Sequence, residues 1–152
     1  MEKIDNLAKR YQRIQAQLEP LLGKTANKVA RMATTAALLH HKLPHFFWTG
    51  FYLLHKGELV VGPYQGSLAC PVLKKKKGVC WAGILRRETI IVPDVHKFPR
   101  HIACDSHSNS EIVVPLLNEK NKVWAVLDVD GRNFDAFSEV DKEWLEKIVK
   151  LI

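Results

Sequence analysis

Two amphipathic helices are predicted at the beginning of the chain. Apolar residues recur at helical spacing from Ile4 to Leu21, which predicts a helix over residues 2–19 that ends near Pro20. A second helix is predicted from an N-cap at Thr25 to about residue 41. Each helix has one apolar face, so we expect both to pack against a shared core.

The apolar pattern changes to a period of two after residue 44, which predicts β-strands. Six strands are predicted, over residues 46–54, 58–64, 68–71, 89–92, 111–117 and 122–130. A short helix is predicted over residues 79–87, and the polar residues 93–110 predict a long structured loop. The sequence from Ser138 to Asp141 is typical of a capping box and predicts a final helix.

This order of elements predicts the α+β class. Strands joined by hairpins favour an antiparallel sheet, and the helices from both chain ends are expected to pack on one of its faces. The 152 residues contain no internal repeat and no linker-like segment, so residues 1–152 are predicted to form a single domain.

Composition and charge narrow the possible partners. No apolar stretch reaches the roughly 18 residues that span a bilayer, and the N-terminus does not resemble a signal peptide, which predicts a cytoplasmic location without membrane contact. A net charge of +7 would suit nucleic acid. However, the basic residues are scattered apart from Lys74–Lys77, which we interpret as a solvated loop, and no nucleic-acid partner is predicted.

Alternation along two strands predicts a concave site with polar and aromatic walls. On the last strand, Trp124, Asp128 and Asp130 share one face, and the two carboxylates lie about 7 Å apart. On the first strand, Trp48 and Tyr52 also share a face. Carboxylates beside aromatic rings suit a cationic ligand such as an amino-acid ammonium group, and a crowded carboxyl can keep its proton for use in catalysis. The alternative is that these aspartates only begin a turn.

Three cysteines, Cys70, Cys80 and Cys104, leave three interpretations open: inert core thiols, zinc ligands or redox groups. An odd number argues against a structural disulfide framework, and the spacing lacks the close cysteine pair typical of structural zinc sites. Redox chemistry is favoured because Cys104 lies in the polar loop. There His101 and His107 could support a thiolate, which makes Cys104 the better nucleophile.

Eight motifs in order closely resemble those of the GAF-fold free methionine-(R)-sulfoxide reductases, from about residue 25 to the C-terminus. The motifs are Trp48-Thr-Gly-Phe-Tyr52, Gly62-Pro-Tyr-Gln-Gly66, Ala69-Cys70, Gly78-Val-Cys80, Pro93-Asp-Val-His96, His101-Ile-Ala-Cys-Asp105, Ser108-Asn-Ser-Glu-Ile112 and Val126-Leu-Asp-Val-Asp130. The resemblance implies a GAF fold with an antiparallel sheet of about six strands. It also implies reduction of the R epimer of free methionine sulfoxide rather than of methionine sulfoxide within proteins.

The resemblance also implies roles for the three thiols. Cys104 matches the nucleophile that attacks the sulfoxide sulfur, releases methionine and is left as a sulfenic acid. Cys70 matches the resolving cysteine, which forms a disulfide that thioredoxin reduces. Cys80 matches an auxiliary thiol. No bound cofactor and no metal are implied.

The substrate-binding residues follow from the same motifs. Glu111, Asp128 and Asp130 match carboxylates that hold the polar groups of the substrate, and Glu111 and Asp130 are further assigned to catalysis by polarising the sulfoxide. Trp48 and Tyr52 match the aromatic pocket around the methyl-sulfinyl end. Since GAF domains often pair through their terminal helices, a homodimer is expected.

Three features depart from the motifs of the family. Trp81 follows Cys80 where glycine is usual, Ala125 and Gly131 replace glycine and serine in the last motif, and the Lys74–Lys77 segment is unusually basic. All three thiols and all three carboxylates remain, so these changes affect efficiency more than reaction type. The alternative function is a non-catalytic GAF module that senses a small molecule or a redox change, because one fold supports many functions.

Overall fold

The computed structural model describes residues 1–101 and 104–152. Ile102 and Ala103, which belong to the predicted loop over residues 93–110 and to one of the quoted motifs, lie outside the described residues. The elements are α1 (Glu2–Leu22), α2 (Lys28–Lys42), β1 (Trp48–His55), β2 (Glu58–Gln65), β3 (Val72–Leu73), α3 (Gly78–Arg86), β4 (Ile90–Val92), β5 (Ser110–Leu117), β6 (Val123–Gly131) and α4 (Glu139–Val149). A 3-10 turn, Val95–Lys97, interrupts the long loop.

The six strands form one sheet in the order β3-β2-β1-β6-β5-β4. Every neighbouring pair is antiparallel, which confirms the predicted fold class. Strands β1 and β6 lie at the centre although about 70 residues separate them in sequence, so the middle of the sheet depends on a long-range pairing.

The two faces of the sheet carry separate apolar clusters. One face is covered by the helices from both chain ends, as predicted: α2 and α4 contact its strands, and α1 packs on α2 and α4. Its cluster includes Tyr11, Leu18, Leu39, Leu127 and Leu145, all fully buried. The opposite face is covered by α3, and this second cluster contains the aromatic residues and Cys80. The candidate site therefore lies on the α3 side, away from the terminal helices.

The buried carboxylate of Asp141 links several segments within the helical layer through hydrogen bonds. Its carboxylate accepts hydrogen bonds from the Tyr11 hydroxyl at 2.7 Å and from the Ser138 backbone N–H at 2.8 Å, and it contacts His45 Nε2 at 2.8 Å. The predicted capping box at Ser138 is thus present, with its acidic residue buried. One side chain joins α1, the segment before β1 and the start of α4.

Most predicted boundaries differ from the observed ones by one to four residues, and three of the differences have a visible local cause. Helix α1 continues through Pro20 to Leu22, because Pro20 lies close to its end and the helix closes at Gly23. The N-cap of α2 is Asn27, whose side chain accepts from the Ala30 N–H. Thr25, two residues earlier, instead accepts from the Asn27 N–H.

The third strand is at residues 72–73 rather than 68–71. The backbone before it bonds to side chains: the Trp48 indole N–H donates to the Ser67 carbonyl at 3.0 Å, and the Tyr52 hydroxyl donates to the Cys70 carbonyl at 3.1 Å. This segment therefore forms the rim of the site instead of a strand.

Trp124 was predicted on the same face as Asp128, and this prediction is wrong. The register between β5 and β6 shifts between Leu116 and Leu117, so the β-bulge contains Trp124 as an extra residue. Its ring packs on the helical side, with Lys28 Nζ 4.6 Å from its centre.

Among the described residues, no helix is long and apolar enough to cross a membrane.

Candidate functional site

Three carboxyl side chains lie close together on the α3 side of the sheet. Glu111 of β5 is paired with Asp130 of β6, and Asp128 is two residues earlier on the same strand. In the register with β1, Trp48 is opposite Asp130 and Gly50 is opposite Asp128. Strand alternation therefore directs the carboxylates and the aromatic residues to one face, as predicted.

Aromatic rings form one wall of a cavity above these carboxyls. The Trp48 ring stacks on Tyr52 with centres 5.9 Å apart and on Tyr64 with centres 5.3 Å apart. A side chain at Gly50 would clash with this wall, because its Cβ would come within 2.6 Å of the Trp48 ring. Glycine at this position is therefore what allows the three rings to stack over the sheet.

Cys80 contributes a thiol to the floor of the cavity. Helix α3 places its Sγ 3.9 Å from Glu111 Oε1, a long sulfur hydrogen bond, and the side chain is buried. Burial and the nearby Asp128 and Glu111 carboxyls raise the pKa of the Cys80 thiol well above its usual value. Cys80 is therefore a neutral thiol and a poor nucleophile. Trp81 is also buried beside it and does not displace it from the floor.

The carboxyls keep their protons more readily than isolated ones. Burial, followed by the charges of Asp128 and Asp130, raises the pKa of Glu111 well above its usual range. Burial also raises the pKa of Asp128 and, with the nearby Asp128 charge, that of Asp130. Like charges this close cannot all ionise. The floor can thus offer both a proton donor and a negative charge.

A disulfide between Cys70 and Cys104 lies at the edge of this cavity, with their Cα atoms 5.7 Å apart. Cys104 lines the cavity and is exposed in part to solvent, while Cys70 lines an adjoining groove. The Ser67 hydroxyl donates to Asp105 Oδ2 at 2.6 Å. This hydrogen bond joins the segments around Cys70 and Cys104 in addition to the disulfide.

The histidines predicted to support a Cys104 thiolate behave differently. His101 lines the cavity beside Cys104, and burial lowers its pKa, so it is neutral and can accept a proton. His107 is exposed and its Nδ1 contacts Asp105 at 2.8 Å, which directs it away from the cavity. Of these two histidines, only His101 lines the cavity with Cys104.

The interpretation of the three cysteines as ligands of one zinc ion does not match this arrangement. The sulfurs of Cys70 and Cys104 are bonded to each other and are not available as thiolate ligands. Cys80 lies with Glu111 and Asp128 instead. The structure therefore separates the three thiols into a pair and a single buried group.

Comparison with known proteins gives the family. The GAF domain family model matches residues 31–152. The chain is 44% identical over 143 residues to GAF domain-containing protein A of Dictyostelium discoideum, covering 93% of this chain and 89% of that protein. It is 40% identical over 141 residues to the free methionine-R-sulfoxide reductase of Saccharomyces cerevisiae, covering 88% and 78%.

A solved structure agrees with these relatives. The free methionine-R-sulfoxide reductase of Neisseria meningitidis, solved in complex with its substrate, superposes with a TM-score of 0.90 at 38% identity, covering 95% of this chain and 86% of that one. The chain belongs to the GAF-domain family of free methionine-R-sulfoxide reductases. The predicted oxidoreductase class and the predicted family are both confirmed by these matches.

The free methionine-R-sulfoxide reductase motifs quoted above converge on one cavity. The structure brings together the predicted residues: Trp48, Tyr52, Cys80, Cys104, Glu111, Asp128 and Asp130. Cys70 joins them through the disulfide. The site residues predicted from the sequence therefore lie in one region of the fold. Their individual roles stay predictions.

Two serines that shape the cavity have no role predicted from the sequence. The Ser108 hydroxyl donates to Asp130 Oδ2 at 3.1 Å, and Ser67 holds both the Trp48 indole and Asp105. Ser108 belongs to one of the family motifs in the sequence, and this membership could have indicated a place in the site. The replacement of serine by Gly131 also has a physical reason, since a Cβ there would lie 2.6 Å from the Ser110 hydroxyl.

Proposed function

We propose that this protein reduces the R epimer of free methionine sulfoxide to methionine, with Cys104 as the nucleophile. The observation that carries the proposal is the bond between Cys70 and Cys104 at the edge of a cavity floored by carboxyls. A disulfide there is the product expected when one cysteine receives an oxygen atom and a second cysteine removes it.

The cavity offers complementary groups for one amino acid. The carboxyl cluster of Glu111, Asp128 and Asp130 suits both polar groups of the substrate, an ionised carboxylate its ammonium group and a protonated carboxyl its sulfoxide oxygen. The stacked Trp48 and Tyr52 rings suit the methyl group and the sulfur. A sulfoxide within a protein has no free ammonium group at this position. The preference for the free amino acid therefore follows from the charge of the floor.

The proposed reaction has two chemical steps. The Cys104 thiolate attacks the sulfoxide sulfur while Glu111 or Asp130, whose raised pKa keeps a proton available, protonates the sulfoxide oxygen. The S–O bond of the substrate breaks, its oxygen passes to the Cys104 sulfur to form a sulfenic acid, and methionine leaves. The Cys70 thiol then attacks that sulfur, water leaves, and the disulfide forms.

Reduction of the disulfide completes the cycle, and we assign it to thioredoxin. A thioredoxin dithiol exchanges with the disulfide, returns two thiols to the protein and becomes a disulfide itself. The sulfur pair is accessible at the surface, and the adjoining groove is lined by Lys74, Lys77 and Arg100. This positive rim favours an acidic dithiol protein. No bound cofactor takes part, because the electrons come from thiols.

Two cysteine variants test the mechanism together. Cys104→Ser should form no methionine from the free R-sulfoxide, whereas Cys70→Ser should give a burst of one methionine per chain and then stop turning over with thioredoxin. The measurement is rapid-quench detection of methionine. A full rate in Cys104→Ser, or steady thioredoxin-dependent turnover in Cys70→Ser, contradicts the assigned roles.

Substrate selection separates the enzyme from a non-catalytic GAF sensor. Wild-type protein should consume only the R epimer, and only as the free amino acid, in an NADPH-coupled thioredoxin assay. Binding of methionine sulfoxide without NADPH oxidation would favour the sensor. Activity on a peptide-bound sulfoxide would contradict the role given to the carboxyl floor.

We also infer a homodimer that pairs through the terminal helices. Ile4, Leu21 and Val29 on α1 and α2 are 56%, 45% and 60% exposed, although all are apolar. Sedimentation velocity tests this inference, because a monomer at micromolar concentration contradicts it.

A cytoplasmic location agrees with the use of thioredoxin and free thiols.

A further inference from the structure

The floor of the cavity holds the donor set of a metal site in addition to the proposed substrate groups. We propose that Cys80, Glu111 and Asp128 bind a thiophilic divalent cation such as Zn²⁺ or Cd²⁺. An ion bound there excludes the free amino acid from the cavity. This second part rests on the proposed function, whereas the binding itself does not.

The geometry brings the three donors together from three elements. One donor atom from each of Cys80 on α3, Glu111 on β5 and Asp128 on β6 lies within 4.8 Å of the other two, and all three side chains are buried. Zinc bonds are about 2.3 Å to thiolate and 2.0–2.2 Å to carboxylate. The donors therefore need to converge by roughly an ångström to share one ion.

An unpartnered oxygen points independently to a missing ligand. Asp128 is 6% exposed, and its Oδ1 has no hydrogen-bond partner among the residues that the structure describes. A buried oxygen left without a partner costs about 1–3 kcal/mol. A cation at the floor would give this oxygen a partner.

The charge balance at the floor also favours a cation. Within residues 1–101 and 104–152, no lysine, arginine or histidine forms an ion pair with Glu111, Asp128 or Asp130. A thiol carries a proton at neutral pH and must lose it to bind a metal, and a protonated carboxyl ligand must do the same. Binding of a dication therefore releases protons to solvent and leaves a thiolate and carboxylates on the metal.

The donor set selects among metals. A sulfur ligand favours Zn²⁺ and Cd²⁺ over Mg²⁺, which takes oxygen ligands in an octahedral arrangement. The cavity has a volume of about 50 Å³. This exceeds the roughly 10–15 Å³ that one water needs, so a water can complete the coordination of the ion.

The oxidised protein provides a clean test, because the disulfide leaves Cys80 as the single free thiol. Titration with Cd²⁺ without reductant should give a thiolate-to-metal charge-transfer band that saturates at one ion per chain. Cys80→Ser should lose the band, and Glu111→Gln should weaken Cd²⁺ binding at least tenfold. Asp105→Asn, a rim carboxylate outside the donor set, should bind Cd²⁺ like the wild type.

Proton release provides a second measurement if a variant folds poorly. Calorimetry of the wild type in two buffers of different ionisation enthalpy should show about one to two protons released per Cd²⁺. The absence of a band, a band that persists in Cys80→Ser, or binding without proton release would overturn the site. Saturable binding of Mg²⁺ at the same place would also overturn it.

Competition is measured on the reduced enzyme. Zn²⁺ should raise the KM for free methionine sulfoxide with kcat unchanged, and EDTA should reverse the effect. Zn²⁺ that lowers kcat with KM unchanged contradicts exclusion of the substrate. A protein that binds Cd²⁺ through Cys80 but reduces no sulfoxide would refute the proposed function and leave the metal site standing.

Discussion

At the residue scale, the carboxyl floor favours ligand binding and lowers the folding stability of the protein without a ligand. Glu111 and Asp128 are each 6% exposed and lie beside a third carboxyl without a cationic partner in the described part of the chain. Such groups lose solvation on folding and repel one another when ionised. Evolution tolerates this arrangement where a bound cation or ammonium group offsets the loss.

Glu111→Gln should stabilise the empty protein at neutral and alkaline pH. The pKa of Glu111 is raised in the folded state, so its stabilising contribution is present in acid and is lost as pH rises through the folded pKa. An uncharged glutamine avoids that loss, and we expect a gain of about 1–4 kcal/mol above neutral pH. Urea unfolding across a pH series measures the difference, which should shrink in acid.

The control for this prediction is a carboxylate whose pKa moves the other way. Hydrogen bonds from Ser67 and from the His107 backbone and side chain lower the pKa of Asp105 to about 2. Asp105→Asn should therefore lose stability at neutral pH, and the loss should diminish in acid. A gain at neutral pH in both variants would mean that generic charge removal, not burial, explains the Glu111 result.

At the element scale, one buried side chain joins three segments of the helical layer. Burial alone would raise the pKa of Asp141. Hydrogen bonds from His45, the Ser138 N–H and Tyr11 outweigh it and hold the pKa below its usual range. Asp141 therefore acts as an anion that orders α1 and the beginning of α4, which is a larger role than that of a capping residue alone.

Asp141→Ala should destabilise the protein by about 2–4 kcal/mol at neutral pH, because it leaves buried donors on Tyr11 and Ser138 without an acceptor. The pKa of Asp141 is lowered on folding. Its contribution is therefore present above the ordinary aspartate value and is lost as pH falls through the folded pKa. Denaturant titration should show the gap to wild type closing in acid.

Glu143→Ala on the same helix is the matched control. Glu143 accepts from Lys147 at 2.7 Å in an exposed pair, which contributes at most about 1 kcal/mol. The sulfoxide turnover of folded Asp141→Ala should stay close to wild type, since Asp141 lies on the opposite face from the cavity. A similar loss of stability in the two variants would argue against the buried network.

At the scale of the whole molecule, positive charge lines the groove beside the disulfide, where the proposed reductant would approach. The net charge is +7, and the four-lysine run that sequence analysis interpreted as a solvated loop lies partly along the groove beside Cys70. Lys74 and Arg100 line the same groove. Charge at such a rim accelerates encounter with an acidic partner more than it strengthens the final contact.

Lys74→Glu should slow reduction of the disulfide by an acidic thioredoxin about three- to tenfold at low salt. Reduction by dithiothreitol, an uncharged small dithiol, should not change. Stopped-flow tryptophan fluorescence or a coupled NADPH assay gives both rates. The difference between the variant and wild type should disappear at high ionic strength, where surface charges are screened.

Lys120→Glu in the β5–β6 hairpin makes the same change in net charge away from the groove, as Lys120 lines a different surface cavity. It should leave the thioredoxin rate nearly unchanged. Equal slowing by the two variants would assign the effect to net charge alone, and slower reduction of Lys74→Glu by dithiothreitol would indicate a distorted disulfide.

Alternation and helical spacing are local properties, and the sequence by itself determined what depends on them. They predicted five strands at their observed places, a sixth strand in a neighbouring segment, the helices at both ends, and the shared face of Trp48, Tyr52, Asp128 and Asp130. The ordered motifs added the family and the predicted roles of the thiols. Tertiary structure decided the features that join distant segments: a bulge moved Trp124 to the other face, and side-chain bonds held residues 67–70 out of the sheet. It also placed Cys80 against Glu111, because only packing of α3 on the sheet brings a helix thiol to a strand carboxyl.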